Sequence, residues 1–62
     1  MNKIDQLKIE IRKTVEPWKR QAWVRHLMRI VDERKWDVAG LEFVLKQAQR
    51  NCETMKGAHD NA

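Results

Sequence analysis

Val38, Leu41, Leu45, Ala48, Cys52 and Met55 follow one another at steps of three, four, three, four and three. That alternation is the a and d pattern of a heptad, kept up for about two and a half repeats, and it predicts a helix with one continuous apolar face. Over residues 38–56 such a helix is roughly 28 Å long, at about 1.5 Å per residue. Phe43 and Val44 widen the apolar region near its start, whereas Ala48 and Cys52 are small and permit close approach of a neighbour. Asp37 stands where a carboxylate can accept from the free amides of the first turn, and Gly57 stands where a helix stop is expected. The pattern fits an ordinary core helix as well as a coiled-coil seam, because fewer than three heptads do not separate the two. In both readings the face is buried.

The segment before it, residues 17–35, is amphipathic in a different way. Placed about 100° apart, Trp23, Val24, Leu27, Met28, Ile30 and Val31 share an arc roughly 160° wide, enough to meet more than one neighbour. Arg25, His26, Arg29, Asp32 and Glu33 lie opposite. Pro17, the single proline, is tolerated in a first turn, and it pushes Glu16 out of the α region, so an element boundary is expected near 16. In residues 1–16, Leu7, Ile9 and Ile11 alternate like a strand, while Ile4, Leu7, Ile11 and Val15 share one helical face. Helix is the better reading, because a lone strand has no partner within this chain. A strand paired across a dimer axis is the other solution. Residues 57–62 read as a frayed tail.

Length makes the packing problem acute. A chain of 62 residues allows one domain and buries only about 60% of its unfolded surface. Small scaffolds offset this with disulfides, metals or association. Cys52 is the only cysteine, and Cys52, His26 and His59 show no paired ligand spacing, so neither a disulfide nor a metal or other cofactor is expected. The expectation is therefore an all-α fold, a short helical bundle of two main amphipathic helices plus an N-terminal helix, completed by homodimerisation. Trp23, Leu27, Val31, Val38, Leu41, Leu45, Ala48, Cys52 and Met55 would form its core and dimer contacts.

Charge changes the picture only locally. Thirteen Lys and Arg against nine Asp and Glu give +4, and residues 17–36, with six basic and two acidic side chains, carry that whole excess. Lys19, Arg20, Arg25 and Arg29 are the candidates for a nucleic-acid-binding regulator. A phosphate-tracking stripe needs several unpaired cations, however, and Arg29 has Asp32 and Glu33 within pairing distance along the helix. Arg20 and Arg34 point toward the apolar arc, where long side chains snorkel. A helix-turn-helix is a poor match, since the turn at 35–37 has no glycine and Gly40 lies within the third helix. Arg25, His26 and Arg29 read better as contacts to a partner protein, and Trp18 and Trp36 at the helix ends either join them, because Trp and Arg are enriched in binding hot spots, or close the ends over the hydrophobic interior. Trp23 reads as core.

Catalysis is not expected. Cys52 and His59 straddle Gly57 with no third orienting group, and two isolated glycines make no phosphate loop. The acids at 32 and 33 oppose a membrane-surface helix. A start that alternates charge with aliphatics, no long apolar run and one free thiol fit a cytoplasmic protein.

The stretch AWVRHLMRIVDERKW followed by DVAGLEFVLKQAQRNCE resembles the small helical accessory proteins of lambdoid phages, the short early reading frames between the exonuclease and excisionase genes. The likeness is one of size, composition and style over most of the chain, and it defines no functional residues to carry over. It implies an early protein that biases development between lysis and lysogeny by contacting host factors in the host cytoplasm.

Burying a leucine-sized side chain contributes about 1.5–3 kcal/mol. Leu45→Glu is therefore expected to unfold the chain or to dissociate it, read as lost helical circular dichroism or a fall in solution mass. A folded variant of unchanged mass would remove Leu45 from the buried face.

Overall fold

A computed structural model describes the backbone of residues 2–60 and the side chains of residues 2–57. Expectations about His59 and the last residues of the tail lie outside them. Helix α1 spans Lys3–Val15, a 3₁₀ turn spans Glu16–Trp18, α2 spans Ala22–Glu33 and α3 spans Val38–Asp60. The described residues are all-α.

Helix α1 settles the ambiguity at the N-terminus in favour of the 3.6-residue period. Leu7, Ile11 and Val15 are buried, whereas Ile9, which a strand would have placed beside them, is exposed. Its start is set by Asn2, whose side chain accepts from the Asp5 amide at 2.8 Å. A cap of this kind contributes about 1 kcal/mol.

Pro17 sits at the head of the 3₁₀ turn, and its neighbour departs from expectation. Glu16 keeps helical angles, φ −52° and ψ −45°. The steric bias of proline on the residue before it is thus overridden, and the chain tightens into a 3₁₀ turn without swinging out. The break comes at Gln21, extended at φ −73° and ψ 141°, so the second helix starts at Ala22 and not at 17 or 18. Its end at Glu33 is also earlier than 35, because Arg34 is extended at φ −94° and ψ 152°. Arg20 and Arg34 consequently lie outside the helix and are exposed, and neither snorkels along its apolar arc.

Asp37 caps α3 by accepting from the Gly40 amide at 2.7 Å. At the other end Gly57 does not stop the helix. It has no positive φ, nothing packs near it, and the helix continues to Asp60. A stop glycine works by adopting the left-handed conformation, and no contact at this exposed position imposes that reversal.

The three helices run up, down and up. Ile4 and Leu7 pack in one cluster with Val38 and Leu41, while Val15 packs with Ala48 and Cys52, so α1 and α3 run in the same direction. Helix α2 runs back across them, giving Val31 to the first cluster and Val24 to the second. Leu27 and Met28 touch both. The backbones of α1 and α3 approach most closely. The heptad face of α3 is therefore occupied within the chain: Leu41 and Ala48 are buried, and Val38, Leu45, Cys52 and Met55 are half-buried. Val44 is buried beside them, but Phe43 is 62% exposed and does not widen that face. It lies about 200° around the helix from Leu41.

The end of α2 and the start of α3 are locked by one ring. The Trp36 indole N–H donates to the Ile30 carbonyl at 3.2 Å, and the ring lies against Gly40. A Cβ at Gly40 would stand 2.9 Å from Trp36 Cε3 and 2.9 Å from the Asp37 carboxylate. Gly40→Ala gains about 1 kcal/mol in helix propensity, against about 1–3 kcal/mol for forcing a rigid ring aside. The expected result is a net loss of up to about 2 kcal/mol in urea unfolding, together with a displaced Trp36 indole resonance. A variant more stable than the parent would show that the ring moves freely.

Candidate interaction surface

The wide arc of α2 faces the core, which turns its polar side outward. Arg25, His26 and Arg29 are all exposed there. Arg29 Nε donates to Glu33 Oε1 at 3.3 Å, a pair one turn long whose side chains are mostly exposed. Such pairs contribute at most a few tenths of a kcal/mol, so Arg29 is available to exchange Glu33 for another carboxylate.

The flank of α2 that turns toward α1 holds a tighter contact. Arg12 Nη2 donates to Asp32 Oδ1 at 2.6 Å, tying α1 to α2 across 20 residues of chain. Both side chains are about half exposed, 55% and 51%, so solvent screens the pair and its worth stays within about 1 kcal/mol. Below it, Val15, Val24 and Met28 form the apolar floor of a groove of about 140 Å³, rimmed by Arg12, Glu16 and Lys19. Lys19 Nζ meets Glu16 Oε1 at 3.4 Å on that rim. Arg25 follows Val24 of the floor in sequence and has no ion-pair partner among the described residues; nor has Arg20. The surface is thus a line of cations, some lightly held by carboxylates, beside a small apolar slot.

The tryptophans are not part of it. Trp18 and Trp36 are half-buried at opposite ends of the bundle, one against Val15 and Ala48, the other in the cluster of Leu7 and Leu41. Trp23 is half-buried on the α3 side, where its indole N–H donates to Met55 Sδ at 3.0 Å. Of the partner-binding candidates only Arg25, His26 and Arg29 share a surface. Of the nucleic-acid candidates, Lys19 and Arg29 are paired with carboxylates while Arg20 and Arg25 are not. Sequence reasoning missed Arg12 and Glu16. Their signal was present, since both lie one residue past an apolar position of α1 and so flank its buried stripe.

On the opposite edge of α1, Thr14, Trp18, Gln49, Cys52, Glu53 and Lys56 line a second hollow of about 200 Å³. The Cys52 thiol donates to the Thr14 carbonyl at 3.6 Å, and burial pushes its pKa above the ordinary value. No three His, Cys, Asp or Glu side chains among the described residues stand close enough to share a metal ion. No helix among them is long and apolar enough to cross a membrane. Compared with protein-family models, with curated proteins and with solved structures, the chain gives no match.

A raised thiol pKa has a definite sign. The neutral thiol is favoured in the folded chain, so its contribution to stability is present below the unfolded pKa and is lost as pH rises through the folded value. Since the thiolate is the nucleophile, Cys52 is expected to react with iodoacetamide at pH 8 more slowly in the folded chain than in denaturant, with its rate–pH curve displaced upward. An equal or faster rate when folded would mean that the thiol is neither shielded nor bonded to Thr14.

Proposed function

We propose that the chain is a non-enzymatic regulatory interaction module that docks a host protein in the host cytoplasm, through the polar face of α2. Arg25, His26 and Arg29 supply the contacts, with the groove between α1 and α2 beside them. The observation that carries this reading is the division of labour on α2, whose apolar arc is consumed by the core while its cations stand exposed next to a slot with an apolar floor. A slot flanked by cations fits an acidic segment with one aliphatic or aromatic anchor. The developmental role, a phage early protein that shifts the balance between lysis and lysogeny, rests on the resemblance of the sequence to lambdoid accessory proteins. The chain also associates with itself. Because the heptad face is filled from within, that association uses a different surface.

The rival reading is a basic regulator that binds nucleic acid through Lys19, Arg20, Arg25 and Arg29. The slot beside these cations has an apolar floor of Val15, Val24 and Met28, which a protein side chain can fill and a phosphate backbone cannot, and this favours a protein partner. Salt separates the two. Titration with duplex DNA is expected to show no binding even at low ionic strength, while Arg25→Glu with Arg29→Glu abolishes retention of a host protein that the parent retains and that then binds it in purified form. DNA binding that weakens with salt at a log–log slope of about −2 or steeper, from two or more neutralised phosphates, would replace the first reading by the second.

A further inference from the structure

Phe43 is the largest apolar side chain that the fold leaves uncovered, at 62% exposure. It projects from the side of α3 opposite the core, among Ala39, Glu42 and Lys46, which are also exposed. Those four residues line a hollow of about 290 Å³. Their spacing is i, i+3, i+4 and i+7, which is the four-residue diamond that receives a knob in knobs-into-holes helix packing. The hollow has room for a phenyl ring, since a cavity of roughly 150 Å³ accepts benzene. Ala39, at one corner, keeps the entrance low.

We propose that this outer face of α3 is a self-association surface, with Phe43 of one copy seated in the Ala39, Glu42, Phe43 and Lys46 hollow of a second, antiparallel copy. The proposal rests on the reading that the chain associates with itself and supplies the surface. A second copy is favoured over any other helix because the pattern is its own complement. The same four residues provide both knob and hole. Glu42 and Lys46 lie on one flank of Phe43, about 40° apart around the helix. A two-fold axis perpendicular to antiparallel helices keeps that flank on the same side of both copies. Side chains lean toward the helix N-terminus, which carries each Lys46 ammonium toward the partner's Glu42 carboxylate. Neither Glu42 nor Lys46 has an ion-pair partner within its own chain among the described residues. The contact uses one helix face per copy, which belongs to the small, rapidly exchanging class of interfaces. It leaves Arg25, His26 and Arg29 of both copies uncovered, so the dimer presents two copies of the docking face.

The test is sedimentation equilibrium of the full chain from about micromolar to millimolar concentration, with circular dichroism alongside. The parent is expected to dimerise. Phe43→Glu, at a position outside the core, should weaken association at least tenfold with its helical signal unchanged. Lys46→Glu should weaken it as well, and adding Glu42→Lys to that variant should restore it, because the swapped charges again face each other. If Phe43→Glu loses its helical signal, the charge swap decides alone. A parent that stays monomeric throughout overturns both the surface and the self-association reading. A parent that dimerises as tightly with Phe43→Glu, or a double swap that fails to restore association, overturns the surface and leaves self-association standing.

Discussion

Everything in this molecule hangs on the stripe Leu7, Ile11 and Val15. These three side chains of a helix of only 13 residues reach both core clusters, and Ile11 is fully buried against Val31 and Leu41. A chain of this size has a total stability of about 3–9 kcal/mol, at roughly 0.05–0.15 kcal/mol per residue. Truncating one buried leucine or isoleucine to alanine costs about 2–5 kcal/mol, a large share of that total. By contrast the three ion pairs among the described residues, all solvent-exposed, each contribute about 1 kcal/mol or less. The fold is therefore held by about eight apolar side chains, and the charged surface is free to serve other ends.

That separation explains what could be read from the sequence. Periodicity is a statement about burial, so the elements that bury strongly were legible: the heptad spacing of Leu41, Ala48 and Cys52, the wide arc around Val24 and Val31, and the preference for helix over strand at Leu7 and Ile11. Asp37 was legible for a different reason, since its carboxylate sits where orphan amides need an acceptor. The boundaries were harder. Pro17 announces a break, but the chain absorbs it in a 3₁₀ turn and bends four residues later at Gln21, where nothing in the side chain signals it. Gly57 permits a stop without compelling one. Phe43 was misplaced because two adjacent apolar residues invite a single reading, although one helical step of about 100° puts them on different faces.

The candidate surface was half legible. Arg25, His26 and Arg29 fall together because they share one helix, which periodicity sees. Arg12 and Glu16 join them only through the packing of α1 on α2, a relation between segments that no local pattern contains. Homodimerisation is expected from the shortness of the chain, with the heptad face as its contact. In the fold α1 and α2 cover that face from within the chain, which a pattern confined to one helix does not reveal.

The parallel pairing of α1 with α3 has a consequence for how the chain is made. Neighbouring helices in sequence can close on each other as they leave the ribosome, but here the closest backbone approach joins α1 to α3. Val15 and Val24 find their common neighbour only when Ala48 has been synthesised. Until then the nascent protein carries two apolar stripes with no third wall. Closure of this core thus waits for α3, and a translation product cut short before Ala48 is left with the exposed surfaces that proteases and chaperones recognise.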